Sequence, residues 1–158
     1  MLFVGADIST RKISLAGVTP DDEWCFVEIP ISESAVRGRY LRRDLHEEIG
    51  SDFWDQVGCV WIEEPYLMRS NPQTYGKLYG VMCALAACIP ERVTVDKIAP
   101  KAWRKEFGWQ NMKRVGAKQM AWKWAEEQGL PTDKISVDLA EAACIAWTCL
   151  QQSGRAGA

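Results

Sequence analysis

Three β-rich segments crowd into the first thirty residues, with no room between them for a helix. Residues 3–8, Phe-Val-Gly-Ala-Asp-Ile, read as a buried strand. Residues 12–18 and 24–29 alternate or run apolar, and Pro20-Asp21-Asp22 is a turn signal between them. A parallel return needs a crossover of about a dozen residues or more, so connections this short impose antiparallel pairing. The chain therefore opens as a three-stranded meander.

The hydrophobic period then changes. Over residues 33–49, Val36, Tyr40, Leu41, Leu45 and Ile49 have helical spacing, and Gly50 follows as a stop. Residues 57–63, Val-Gly-Cys-Val-Trp-Ile-Glu, read as a fourth strand, and Pro65 forces a loop after it. Asn71 before Pro72 is an N-cap with a first-turn proline, opening a helix to about Cys88. A short fifth strand is expected over 92–95. Helices are expected over 100–107, 115–128 and 136–152, the first two stopped by Gly108 and Gly129. The order βββ-α-β-α-β-α-α-α predicts an α/β fold: a five-stranded mixed sheet, three antiparallel strands then parallel ones, with helices on both faces. A length of 158 residues suits a single domain, expected over 1–152, with a small, polar, flexible tail over 153–158.

Composition narrows the class. Hydrophobic residues make up 47% and charged residues 25%, the mix of a globular protein. No apolar run approaches the roughly 20 residues of a membrane span, and Met1-Leu2-Phe3-Val4 runs at once into Gly5-Ala6-Asp7 without the basic n-region of a signal peptide. The expected location is the cytoplasm, or the host cytoplasm for a virus-encoded chain. The six cysteines, at 25, 59, 83, 88, 144 and 149, stand in apolar segments without a CxxC pair and read as reduced core thiols. Net charge is −2, yet residues 97–118 carry seven basic side chains against one acid, Glu106. Such a stripe can bind phosphates on an acidic protein, and it is also what a solvated helical face looks like.

Four acids carry the functional argument. Asp7 ends the first strand and Glu63 ends the fourth, each after apolar residues where an isolated charge is expensive. Gly5 beside Asp7 permits close approach of a neighbouring backbone. Asp138 and Glu141, three apart, share one face of an apolar helix. Each alone has an ordinary reading: a turn cap, an arginine partner at a strand end, a helix N-terminal acid. Together they would repel one another unless a hard cation such as Mg²⁺, which takes oxygen ligands, stood between them. Two such ions support phosphodiester hydrolysis.

The order of these acids resembles that of the RuvC-type Holliday-junction resolvases. Gly5-Ala6-Asp7-Ile8-Ser9 resembles the family's first motif and Trp61-Ile62-Glu63-Glu64-Pro65-Tyr66 the second. Val137-Asp138-Leu139-Ala140-Glu141-Ala142 resembles the third. The resemblance implies a ribonuclease-H-like fold over residues 2–150 and a Mg²⁺-dependent endodeoxyribonuclease. It implies two ions per site, with Mn²⁺ as a substitute, held by Asp7, Glu63, Asp138 and Glu141. It places Lys118 beside the scissile phosphate and Tyr66 where an aromatic can stack on a junction base. Arg69, Lys101, Arg104, Lys113, Arg114 and Lys118 would contact DNA. It further implies a homodimer that cuts four-way junctions in recombination and repair, leaving 5′-phosphate and 3′-hydroxyl ends. Glu141 departs from the pattern, being longer than the Asp common there, which bears on metal spacing.

Three other readings stay open on sequence. A nuclease for flaps, forks or other branched DNA would carry the same motifs. Gly5-Ala6-Asp7 with Lys12 also fits the first phosphate loop of the actin and sugar-kinase ATP-binding fold, although no second glycine-rich loop appears. A non-catalytic DNA-binding module would explain the basic stripe but not four acids in this order.

Overall fold

A computed structural model describes residues 1–31, 45, 48–66 and 71–156. Strands β1 (Leu2–Ile8), β2 (Lys12–Val18) and β3 (Trp24–Pro30) form the expected meander. The short helix α1 (Ser51–Gln56) precedes β4 (Val57–Glu63); α2 (Pro72–Cys88) leads to β5 (Thr94–Ile98). Helices α3 (Pro100–Glu106), α4 (Arg114–Glu127) and α5 (Val137–Ala156) follow. The sheet order is β3-β2-β1-β4-β5, antiparallel among the first three strands and parallel from β1 to β4 to β5.

The two faces of the sheet are covered differently. Val4, Ala6, Ile8, Ile13 and Leu15 pack with Trp54 of α1 and with Val81, Met82 and Leu85 of α2. On the opposite face Ala16 packs under α5 with Trp103, Trp109 and the alanines of α4. Trp103 is fully buried, and Trp109 is also buried, stacked on Phe107 with ring centroids 4.6 Å apart. Neither tryptophan is free to stack on nucleic acid.

Helix α5 reaches the sheet because Gly5 has no side chain. A Cβ built there would stand 2.2 Å from the Ala142 carbonyl oxygen and 2.4 Å from the Ala146 nitrogen. The backbone of α5 thus lies directly on β1, the close approach that a glycine in a strand allows. The helix otherwise shows the alanine and cysteine surface such packing needs: Ala142, Ala143, Cys144 and Ala146 are fully buried.

Some element bounds differ from expectation. Most of the helix expected over 33–49 lies outside the described residues; Leu45, Glu48 and Ile49 are helical. Helix α1 was not anticipated: Gly50, with φ 69°, turns the chain there, and a new helix starts and buries Trp54. Strand β5 runs later than 92–95 because its pairing with β4 continues through Asp96 and Lys97, whose charges mask a strand at an exposed edge. Asn71 caps α2 as expected, accepting from the Thr74 amide at 3.0 Å. Helix α5 extends to Ala156, four residues beyond its expected end. Cys144 and Cys149 are buried, but Cys83 is exposed on α2 and is not a core thiol. Among the described residues no helix is long and apolar enough to cross a membrane.

Candidate metal-binding active site

The parallel pairing of β1 with β4 aligns Ala6 with Ile62, so the next residues, Asp7 and Glu63, end their strands side by side. The seating of α5 on Gly5 brings the first turn of that helix over the same edge. Asp7, Asp138 and Glu141 each offer a carboxylate oxygen, and these atoms lie within 4.8 Å of one another. Asp7 and Glu141 are buried, at 6% and 2% exposure, which is rare for carboxylates that lack compensation. Glu63 joins Asp7 and Glu141 in lining a cleft of about 390 Å³.

The electrostatics of the cluster are strained. Burial, then repulsion from Glu63, Glu141 and Asp138, pushes the Asp7 carboxyl well above its ordinary value, against the pull of Lys118. Burial, with repulsion from Glu141, pushes Glu63 to about 7, although Arg104 and a hydrogen bond from Asp7 oppose the shift. Asp138 goes the other way: burial would raise it, but the hydrogen bonds and charges of Lys118 and Lys12 outweigh burial and hold it low.

Lys118 on α4 bridges the two acids of α5. Its ammonium contacts Asp138 Oδ1 and lies 2.9 Å from Glu141 Oε2. Arg104 on α3 reaches inward as well, 3.6 Å from Glu141 Oε1, with its guanidinium 5.1 Å above the Trp103 ring. Even so, Glu141 Oε1 is buried without a hydrogen-bond partner among the described residues. An orphaned, buried, anionic oxygen is a group that a cation would satisfy. The donor set is all oxygen, so it suits a hard divalent ion such as Mg²⁺ or Mn²⁺. The residues present therefore fit a metal.

The remaining sequence candidates separate by location. Tyr66, 76% exposed, stands at the rim of the cleft after β4, and Lys101 and Arg114 line the same cleft. Lys113 is exposed at the N-cap of α4. Arg69 lies outside the described residues. Arg104, expected as a phosphate contact, lines this cleft as well, 3.6 Å from Glu141 and over the Trp103 ring. Glu64, next to Glu63, also lines the cleft and lies 3.7 Å from Lys97.

Sequence reading missed three polar residues beside the cluster: Glu28 on β3, Ser14 on β2, and the outward role of Ser136 before α5. The available signal was Glu28 itself, the lone charge in Trp-Cys-Phe-Val-Glu-Ile-Pro, with Ser14 opposite it in register. Lys12, which a nucleotide-phosphate loop would turn toward its ligand, is instead bound to Glu28 and Asp138 at 2.8 and 3.2 Å.

No protein-family model matches the sequence, and no curated protein matches it. Solved structures of similar fold include two of a bacterial RuvC. One is Thermus thermophilus RuvC in complex with a Holliday junction substrate, with a TM-score of 0.69 at 19% identity over 94% of this chain and 91% of that one. The other is a Thermus thermophilus RuvC structure, with a TM-score of 0.65 at 19% identity over 94% and 92%. The five-stranded mixed sheet with its helices is thus the ribonuclease-H-like fold.

Proposed function

We propose that this chain is a divalent-metal-dependent endodeoxyribonuclease that cuts branched DNA, chiefly four-way junctions, as a homodimer. The observation that carries the proposal is the acid cluster: three carboxylates within ligand distance, two of them buried, with one buried oxygen left without a hydrogen bond among the described residues. A binding module gains nothing from so costly an arrangement. The fold shared with a RuvC bound to a Holliday junction supports the choice of substrate.

Asp7, Asp138 and Glu141 would hold the metal, with Glu63 completing the site from β4. Bound there, Mg²⁺ supplies Lewis-acid stabilisation of the phosphate and an acidified water, the chemistry of two-metal nucleases. The chain's own groups set the rest. Lys118 balances the charge of Asp138 and Glu141 and is a cation at the point where phosphate charge would develop. Arg114 and Lys101 in the cleft, with Lys113 outside it, would contact backbone phosphates and set the position of the DNA rather than a sequence preference. The hydrolysis would leave 5′-phosphate and 3′-hydroxyl ends.

The test is to incubate the protein with a labelled four-way junction, a flap and a linear duplex, in Mg²⁺ or in EDTA. Symmetric nicking of the junction, lost in EDTA, is expected. Cutting that persists in EDTA, or no cutting in Mg²⁺ and Mn²⁺, would overturn the proposal. Equal cutting of flap and junction would keep the site and broaden the substrate.

Tyr66 is proposed to stack on an unpaired base at the junction. Tyr66→Ala should weaken junction binding by about tenfold, as the loss of ~1–3 kcal/mol per stacked base implies. Its melting temperature should stay at the wild-type value, because the ring is exposed. Electrophoretic mobility shift at fixed salt would read the first effect and calorimetry the second.

The dimer is proposed to form through α2. That helix exposes Gly76, Tyr79, Gly80, Cys83 and Ala87, small residues on one stripe with a single aromatic. Glycines inside a helix cost about 0.5–1 kcal/mol each relative to alanine, so their place here needs a return such as close helix packing. A Cβ at Gly80 would meet nothing within 4 Å in the protomer. Gly80→Leu should therefore leave the protomer folded and shift sedimentation at micromolar concentration from dimer to monomer. An unchanged sedimentation coefficient would exclude this face as the interface.

A further inference from the structure

Asp138 is held from two sides. Lys118 meets Oδ1 and bridges it to Glu141 Oε2, so Oδ1 is the oxygen on the side of the acid cluster. Oδ2 points the other way, 3.2 Å from the ammonium of Lys12.

Lys12 is anchored with unusual completeness for a lysine on a strand end. The turn after β1 fixes its backbone: Ser9 Oγ accepts from the Lys12 amide at 2.9 Å, and the Ser9 amide donates to the Lys12 carbonyl at 2.9 Å. The ammonium then meets Glu28 Oε1 at 2.8 Å and Ser136 Oγ at 3.2 Å in addition to Asp138. Its three N–H bonds thus have three acceptors. Glu28 in turn accepts from Ser14 Oγ at 3.1 Å and from Ser136 Oγ. Ser136 accepts from the Leu139 amide at 3.2 Å, so it caps the first turn of α5, the turn that carries Asp138. One set of contacts therefore ties the β2–β3 edge to both the start of α5 and the outer oxygen of its first acid.

We infer that Lys12, with Glu28 and Ser136, is a positioning group for Asp138, holding Oδ2 from outside so that Oδ1 is set toward the cluster before a divalent ion binds. The inference rests on the metal-site reading above and goes beyond it, because none of these three residues belongs to the acid set. Groups that hydrogen-bond a ligating carboxylate orient it and set the affinity of the site.

Charge and positioning predict opposite signs. Removing a nearby positive charge would by itself tighten binding of a cation. Losing the hold on Asp138 would weaken it. Mn²⁺ is titrated calorimetrically into the metal-free full-length chain, and each variant is first checked for cooperative melting in EDTA. Lys12→Met should bind Mn²⁺ about tenfold more weakly or worse, the usual cost of removing such a partner. Lys12→Arg, which keeps the charge and donors, should recover most of that loss. Ser136→Ala changes no charge, so weaker binding there is read as lost positioning; it carries the test if Lys12→Met does not fold. Wild-type or tighter Mn²⁺ binding by Lys12→Met, or by Ser136→Ala, would overturn the inference while leaving the metal site standing. A wild-type chain that binds no Mn²⁺ would overturn the metal site, and the inference with it.

Discussion

Asp7→Asn is expected to abolish metal-dependent cleavage and, in EDTA, to make the protein more stable. The two effects have one cause. Asp7 is buried among Glu63, Asp138 and Glu141, and its carboxyl is held well above the ordinary value by burial and by their repulsion. An acid whose folded-state value is raised is most compatible with the fold when protonated. Its contribution is favourable below the ordinary value of a free aspartate and is lost as pH rises through the raised folded-state value. At pH 8, far above the ordinary aspartate value, the metal-free wild type has therefore lost stability that asparagine keeps. Relief of ~1–2 kcal/mol would raise the melting temperature by about 3–6 °C in a chain of this length. The gain should shrink as pH falls toward the ordinary aspartate value. Activity should fall by about three orders of magnitude, the equivalent of ~4 kcal/mol of transition-state stabilisation. Calorimetry in EDTA at pH 8 and pH 4, with single-turnover cleavage in Mg²⁺, checks both. A variant that loses stability in EDTA would mean that Asp7 serves the fold, and retained cleavage would mean that it serves no metal.

Gly5→Ala should be the most damaging single methyl group in the protein. The added carbon would stand 2.2 and 2.4 Å from backbone atoms of Ala142 and Ala146, and 2.8 Å from Ile145 Cβ. Backbone on both sides leaves no rotamer to yield, so α5 must lift from β1. Overpacking of this kind costs ~1–3 kcal/mol or more, and rigid contacts place it at the upper end. A fall of about 6–12 °C in melting temperature follows for a loss of ~3 kcal/mol. The same lift separates Asp138 and Glu141, on α5, from Asp7, two residues beyond Gly5. A displacement of ~1 Å in a reacting constellation can cost on the order of 10²-fold in rate. Gly58→Ala is the control: its Cβ would meet only the flexible side chain of Met1, which can move aside. Equal melting temperatures for the two variants would refute the argument from packing.

Legibility differed from element to element. The meander and the βα units were readable because short connections and hydrophobic period leave few options. The acid at each strand end was readable because Phe-Val-Gly-Ala-Asp and Val-Trp-Ile-Glu place a charge where an apolar run stops. Strand β5 was read too early because edge residues are exposed and carry no apolar signature. Helix α1 escaped because six residues hold too few turns for a period to show. Arg104, counted in the basic stripe, lines the cleft beside Glu141 with its side chain only 12% exposed and over the Trp103 ring. Charge counts along a chain carry no direction, and only packing decides which arginine turns inward.

The local pattern alone thus determined the strand order in sequence, the mixed character of the sheet and the residues able to form an acidic site. It did so because backbone pairing and burial are governed by spacing along the chain. The convergence of the acids was decided in three dimensions. It needed the parallel register of β1 on β4, the seating of α5 on Gly5, and the tie from Lys12 and Glu28 to Ser136 and Asp138. These contacts join residues far apart along the chain, Ala6 with Ile62 and Gly5 with Ala142, and no local rule of spacing or propensity encodes pairings of that kind.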